Sequence, residues 1–276
     1  MKFIPVTTFG PRYPLDDLIR PYLPRLVDTV MVSYQYALQM SPEKRPPLAL
    51  MVDSGGFVSR RSDARLIPMH DRAAIQVGSE LLTPEEVLSF QEAHADTAFT
   101  LDFMLTPELS ARERRKRCEW TVTNAVWAKQ NQQHSSMKLY ASLQACCAHT
   151  AREAAKTYRD AGFDGIGVGG LVPRLNDKTE LRTLLEPVLE EAGDLPVHAF
   201  GLGSPKLLLL LQEIGVHSAD SSSFVQWAAS GENWQGKVPQ GHLSPHGRMH
   251  LALQNLQEVL LTLGDPAVQF CLRQTA

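Results

Sequence analysis

Three aspartates stand at the exits of short apolar segments. Asp53 closes the run from Leu48 to Val52 and opens the turn Ser54-Gly55-Gly56-Phe57. Asp102 closes Ala98 to Leu101, and Asp220 closes Gly215 to Ala219 and opens Ser221-Ser222-Ser223-Phe224. A carboxylate at a strand exit can serve as a nucleophile, a general base or an acceptor for the N–H edge of a ligand. One such aspartate by itself is more often a turn former or a helix cap. Three of them, beside glycine-rich turns, point instead to a mouth where strand ends converge.

Positioning those acids requires strands that alternate with helices. Strand candidates are Phe3–Val6, Val30–Tyr34, Leu48–Val52, Phe99–Phe103, Leu139–Gln144, Gly165–Val168, Val197–Gly201 and Ser218–Asp220. Helix starts fall between them. Thr83-Pro84-Glu85-Glu86 supplies a capping hydroxyl, a proline at the first helical position and acids in the first turn. Ser204-Pro205 and Ser244-Pro245 repeat the cap-and-proline start, Ser110 opens a helix to about Lys129, and Thr179 to Ala192 makes another. His149 to Ala161 is helical, with Gly162 as its stop. Eight such units predict an α/β fold, a (β/α)8 TIM-type barrel in a single domain over residues 1–276, with an open doubly wound sheet as the other arrangement. In a barrel the C-terminal strand ends form the reactive face, and Asp53, Asp102, Gln144, Gly169 and Asp220 would meet there. The stretch Ser54–Leu82 is long for a loop and is expected to act as a lid or substrate arm.

Bulk properties narrow the function classes. The chain has 276 residues, 43% hydrophobic and 21% charged, which is ordinary for a soluble globular protein. A net charge of -3 argues against holding nucleic acid by bulk charge, although a local basic strip remains open. The N-terminus lacks a signal-peptide layout and no apolar run approaches a membrane span, so no membrane partner is expected. Cys118, Cys146, Cys147 and Cys271 form neither a disulfide framework nor a CxxC motif, and a reduced cytoplasmic setting follows.

Five pieces occur in fixed order: Val52 to Phe57, Leu143-Gln144, Gly162-Phe-Asp-Gly-Ile-Gly-Val-Gly-Gly-Leu171, Phe200 to Pro205, and Ala219-Asp220. The ordered set resembles the tRNA-guanine transglycosylase superfamily over about residues 48 to 231. The resemblance implies Asp220 as the nucleophile that attacks ribose C1′ and Asp53 as the acid/base residue. It implies Asp102 as reader of the N–H edge of the base and Gln144 as neighbour of the base carbonyl. Gly169, Gly170 and Leu171 would offer backbone amides, Phe200 would wall the pocket, and Ser54 and Gly55 would line it. The chemistry fits these residue types. A carboxylate nucleophile can leave again, a second carboxylate moves protons to and from the purine, and an ionised Asp is acceptor-only. No cofactor is expected, and the base would be read flipped or single-stranded.

The chain also departs from the pattern of the tRNA enzymes. After Asp220 the only cysteine is Cys271, so no CxCxxC zinc motif is present, and the Pro-Thr-Arg segment is replaced by Ser221 to Trp227. The expectation is therefore a barrel without the zinc-binding subdomain, without an RNA-binding extension and without a metal. The DNA-acting branch, which inserts 7-deazaguanine (preQ0-type) bases into DNA, fits best, with tRNA as the alternative substrate. A helicase or ATPase partner that opens duplex DNA, or a role as a non-catalytic nucleic-acid-binding subunit, are further readings. Arg60, Arg61 and Arg65 are the candidates for backbone phosphate contact, ahead of the cluster Arg112 to Arg117, which suits a solvated helix face. His242, His246 and His250 recur every fourth residue, but Pro245 would leave His242 outside the helix, and surface histidines are the plainer reading. Trp120 and Trp127 suit core packing; Trp227 and Trp234 suit either base stacking or a cover for the barrel end.

Overall fold

The computed structural model describes residues 1–8, 13–40, 45, 47–237 and 243–264. In chain order the first elements are β1 (Lys2–Pro5), α1 (Pro14–Ile19), β2 (Thr29–Val32), α2 (Tyr34–Ala37) and β3 (Ala49–Val52). A 3-10 helix, Gly56–Arg60, then leads to β4 (Ala64–Pro68), β5 (Ala73–Val77), β6 (Glu80–Leu82), α3 (Pro84–His94), β7 (Thr97–Phe99) and α4 (Ala111–Asn131). Next come β8 (Lys138–Gln144), α5 (Ala148–Asp160), β9 (Gly165–Gly169), α6 (Lys178–Ala192), β10 (Val197–Ala199) and α7 (Pro205–Glu213). The last are β11 (Ser218–Ser221), α8 (Ser223–Ala229), β12 (Glu232–Asn233), β13 (Gly236–Lys237) and α9 (Pro245–Thr262). Eight parallel strands (β1, β2, β3, β7, β8, β9, β10 and β11) alternate with helices, which is the (β/α)8 class.

The described residues form two compact units, one of residues 50–200 and one of residues 1–49 with 201–264. In the first, neighbouring parallel strands follow the order β3-β7-β8-β9-β10. Their residues are near-continuously apolar because both faces are covered, as a parallel sheet requires. β8 and β9 are buried along almost their whole length. α5 presents Ala151, Ala154, Ala155 and Tyr158 to the interior, and α6 presents Leu181, Leu184, Leu185 and Val188, both at helical spacing. In the second unit β1 pairs with β11 in parallel, placing Ile4 opposite Asp220, and Val6, just past β1, bridges to Met31 of β2.

Local signals set the helix ends. Thr83 and Glu86, and likewise Ser110 and Glu113, form complete capping boxes at the starts of α3 and α4. Ser244 caps α9 by accepting from the Gly247 N–H, and Gly162 ends the α5 segment with φ 74°.

Three expectations need correction. Val30–Tyr34 ends as a strand at Val32, and Tyr34 begins α2. The strand expected at Phe99–Phe103 is β7, three residues ending at Phe99. Beyond Thr100, whose N–H still reaches the Tyr140 carbonyl, the backbone finds side chains instead of a neighbouring strand. The Phe103 N–H donates to Thr121 Oγ1 and the Met104 N–H to Ser59 Oγ. The stretch Ser54–Leu82 is not an irregular arm, because β4, β5 and β6 form a three-stranded antiparallel sheet. Ala73, Ala74 and Ile75 are fully buried, and Asn124 of α4 accepts from the Ala73 N–H and donates to the Ala73 carbonyl. Backbone paired in this way is anchored to α4.

Candidate functional site

In the unit of residues 50–200 the strand exits build one buried polar network. Asp102 is 8% exposed. Its Oδ1 accepts from Ser54 Oγ at 2.5 Å and its Oδ2 from Gln144 Nε2 at 2.5 Å. Burial pushes the Asp102 carboxyl above its ordinary value, while the Ser54 and Gln144 hydrogen bonds pull it back. Gln144 ends β8 opposite Gly169 of β9, and a Cβ on Gly169 would collide with its amide. Its Oε1 accepts from the Leu105 N–H at 3.4 Å, which sets the amide so that nitrogen faces Asp102. Ser54 in turn accepts from the Gly56 N–H at 3.0 Å. Gly56 has no room for a side chain, since a Cβ would meet the Asp102 carbonyl and carboxylate oxygens.

Asp53 follows β3 and is half-buried. Its Oδ1 accepts from the Gly55 N–H at 2.8 Å, a local turn made with Gly55 at φ 72°. Gln91, buried on α3, was not singled out by the sequence. Its amide nitrogen donates to the carbonyls of Asp53 at 3.0 Å, Phe99 at 2.9 Å and Val52 at 3.4 Å, tying the exits of β3 and β7 together. Phe200 packs edge-on to Phe99, ring centroids 4.7 Å apart, and against His198 at 5.0 Å. Gly169, Gly170 and Leu171 continue from β9 into a short 3-10 turn, Val172–Arg174. The structure thus brings Ser54 and Gln144 to Asp102, sets Gly169 beside Gln144 in register, and ties Gly55 to Asp53.

The basic candidates differ from one another. Arg60 lies over the Phe57 ring, 5.1 Å from its centroid, and Phe57 is 61% exposed. The sequence marks Phe57 only as part of its motif; an exposed apolar ring of this kind next to a polar site is a feature of binding surfaces. Arg61 is held by a two-bond pair with Asp63, both at 3.0 Å, which offsets its charge. Arg65 is exposed on β4. Within the Arg112 to Arg117 run, Arg117 turns inward and donates to the Met104 carbonyl at 2.7 Å, so it holds the chain after Asp102. Lys116 covers Trp120, and Arg72 covers Trp127. Asp164 precedes β9 and accepts from the Leu139 N–H at 2.9 Å, a bond at the N-terminal ends of β8 and β9.

In the other unit Asp220 is 7% exposed on β11, and its Oδ1 accepts from the Gly201 N–H at 3.1 Å. Ser221 hydrogen-bonds to Ser223 at the start of α8, so the serine turn after Asp220 is held from within. Asp16 is a further buried carboxylate that the sequence did not signal. It accepts from the Thr8 N–H and hydroxyl at 2.8 Å and from Thr7 Oγ1 at 3.3 Å, and burial raises its pKa. It fixes the chain leaving β1. Trp227 and Trp234 lie 5.2 Å apart, and Trp234 Nε1 donates to the Asn255 carbonyl at 2.8 Å.

Among the described residues no three or more His, Cys, Asp or Glu side chains are grouped to hold a metal. His246 and His250 are exposed on α9, and His242 lies outside the described residues, as does Cys271. Cys118, Cys146 and Cys147 are free thiols. Burial, with Cys146 beside it, pushes the Cys118 thiol up to about 12, whereas the Thr150 hydroxyl lowers that of exposed Cys147. Among the described residues no helix is long and apolar enough to cross a membrane.

A family model described as queuine tRNA-ribosyltransferase matches residues 40–261. The tRNA-guanine(15) transglycosylase of Methanococcus aeolicus is 24% identical over 234 residues, covering 81% of this chain and 34% of the relative. The queuine tRNA-ribosyltransferase of Thermosipho africanus is 27% identical over 203 residues, covering 68% of this chain and 54% of the relative. A queuine tRNA-ribosyltransferase of Thermotoga maritima is 28% identical over 207 residues, covering 71% of this chain and 54% of the relative. The chain thus spans between a third and about half the length of the curated relatives it matches.

Proposed function

The chain belongs to the queuine tRNA-ribosyltransferase family, and from that premise we propose that it replaces guanine by a 7-deazaguanine (preQ0-type) base in DNA through a covalent Asp220 intermediate. The observation that carries the base-exchange reading is the buried network of Ser54, Asp102 and Gln144. It holds an acceptor-only carboxylate where an N1–H and an exocyclic amine can be read, with an amide group beside it for the base carbonyl. Guanine presents that donor–donor–acceptor edge.

In this mechanism an Asp220 carboxylate oxygen attacks C1′ as the C1′–N9 bond breaks, and the bonding pair leaves with the base. Asp53, protonated, gives its proton to the departing purine. The incoming deazapurine then loses its ring N–H proton to Asp53 and attacks C1′, and the Asp220 carboxylate departs. Two displacements at C1′ leave its configuration retained, as in glycosidases that use a carboxylate nucleophile. The serine turn Ser221 to Ser223, standing where the tRNA enzymes' pattern has Pro-Thr-Arg, is the feature that favours DNA as substrate. The family's own name favours tRNA as the second reading.

Uptake of labelled guanine and preQ0 into single-stranded DNA, duplex DNA and tRNA separates the two. Uptake into DNA that Asp220→Asn abolishes is the expected result. Uptake into tRNA alone overturns the substrate and keeps the chemistry. Activity on duplex DNA only after addition of a helicase or ATPase fits a strand-opening partner. Wild-type protein that exchanges nothing alone, yet binds nucleic acid and activates a second subunit, points to the accessory role.

A further inference from the structure

We propose that Arg174 is a positioning residue for base recognition, which acts by aiming and polarising the Leu171 N–H; this rests on the base-exchange reading above. Arg174 closes the 3-10 turn Val172–Arg174 that follows β9. One guanidinium nitrogen, Nη1, donates to the Gly170 carbonyl, and Nε donates to Glu180 Oε1 at 2.6 Å. The side chain is therefore clamped between a carboxylate on α6 and one backbone carbonyl.

The consequence follows from peptide geometry. The Gly170 carbonyl and the Leu171 N–H belong to one planar unit, and no peptide bond in the described chain is cis. In a trans peptide the two groups point in opposite directions. Fixing the carbonyl on Arg174 thus fixes the N–H on the far side. Gly170 stands at φ 77°, a conformation that sets this plane off from the run of β9. Leu171 is fully buried, and its N–H donates to no described residue. A buried N–H without an acceptor is rare and calls for a partner from outside the chain. A cationic donor on the carbonyl also withdraws density from the peptide, which strengthens the N–H at its other end as a donor. The base carbonyl beside Gln144 is the acceptor that this donor suits, since Gln144 and Gly169 are register neighbours at the same strand ends.

Arg174→Gln, Arg174→Lys and, as a charge-loss control on an exposed helix pair, Arg182→Gln are compared with wild type. Three readouts are taken: amide hydrogen exchange of the peptide containing Leu171, calorimetric affinity for free guanine, and kcat and KM for guanine in the exchange reaction. Arg174→Gln is expected to speed exchange at Leu171 and to weaken guanine binding and raise its KM about tenfold, the scale of one charge-assisted hydrogen bond. kcat at saturating guanine should change far less, Arg174→Lys should recover part of the affinity, and Arg182→Gln should move none of the three. Unchanged hydrogen exchange in Arg174→Gln overturns the clamp. Faster exchange with unaltered guanine affinity and KM overturns the role in recognition. Calorimetry needs no nucleic acid, so wild-type protein that binds guanine but exchanges no base breaks the proposed reaction without touching Arg174.

Discussion

Asp102 is where stability and recognition pull apart. Its carboxyl is raised by burial, so the folded protein holds the proton more tightly than the unfolded chain does. The stability it contributes is complete below the ordinary carboxylate pKa and is lost as pH rises through the raised folded value. At neutral pH the buried charge is a burden on the fold. Asp102→Asn can keep both neighbours satisfied: the new amide oxygen accepts from Gln144, and its nitrogen donates to a rotated Ser54 hydroxyl. Differential scanning fluorimetry at pH 7 should therefore show a Tm gain of about 2–4 °C, the scale of 1 kcal/mol in a chain of this size. Guanine uptake should fall at least about a hundredfold, because the acceptor-only edge is gone. A lower Tm would show that the carboxylate is net stabilising. Thiol chemistry gives a second test. At pH 7.5 iodoacetamide should label exposed Cys147 well before Cys118, whose thiol is pushed up to about 12 by burial; peptide mass spectrometry reads the order. The strand-exit acids were legible from the sequence because an apolar run ending in Asp-Ser-Gly-Gly is a local signal. Asp16, Gln91 and Arg174 were not, because their meaning lies in partners reached through the fold. Gln91 bonds to Asp53 across 38 positions of sequence.

Elements carry the site through a few fixed attachments. The small sheet β4–β6 is tied to α4 by the two Asn124 bonds to Ala73, with a third from Asn124 to the Leu101 carbonyl. Asn124→Ala removes all three and should cost about 1–3 kcal/mol of stability, as for buried polar groups left without partners. The same change should make proteolysis within residues 64–82 faster. Equal cleavage rates in mutant and wild type would mean that packing of Ala73, Ala74 and Ile75 holds the sheet alone. Gly56→Ala acts at the next attachment. The added methyl has to displace Asp102, so guanine uptake should fall by at least about tenfold, with a loss of about 1–3 kcal/mol from overpacking. The strand and helix rhythm was readable because apolar runs and caps are periodic or local, and β1, β3, β8, β9 and β11 lie within a residue or so of their expected bounds. β4–β6 escaped notice because short, half-polar antiparallel strands resemble loop sequence. β7 stopped early because its backbone partners past Thr100 are the side chains of Thr121 and Ser59.

Across the whole molecule, charge is close to balanced, with 27 basic and 30 acidic residues. A protein of this kind cannot gather nucleic acid by its overall field. Salt should therefore weaken its binding only gently. If Arg60 and Arg65 both reach phosphates, their joint replacement by alanine should flatten the log–log salt dependence on duplex DNA by about 2. Arg61→Ala should change it little, since Asp63 already answers its charge. A slope that is unaffected by the double substitution would move the backbone contacts elsewhere. Fold class was the most legible property at this scale, because counting strand-helix units needs no partner information.

Gln91 gives the arrangement a chemical lifespan. Its one amide nitrogen serves the carbonyls of Val52, Asp53 and Phe99. Hydrolysis of that amide would replace a two-proton donor by a carboxyl group, which has at most one proton to share among three carbonyls and bears a desolvation cost whenever it ionises. Loss of activity in old protein stocks should accordingly follow this single deamidation and not the earlier damage at exposed glutamines such as Gln235. Burial of Gln91, which keeps water from the amide, is then also what delays the ageing of the site.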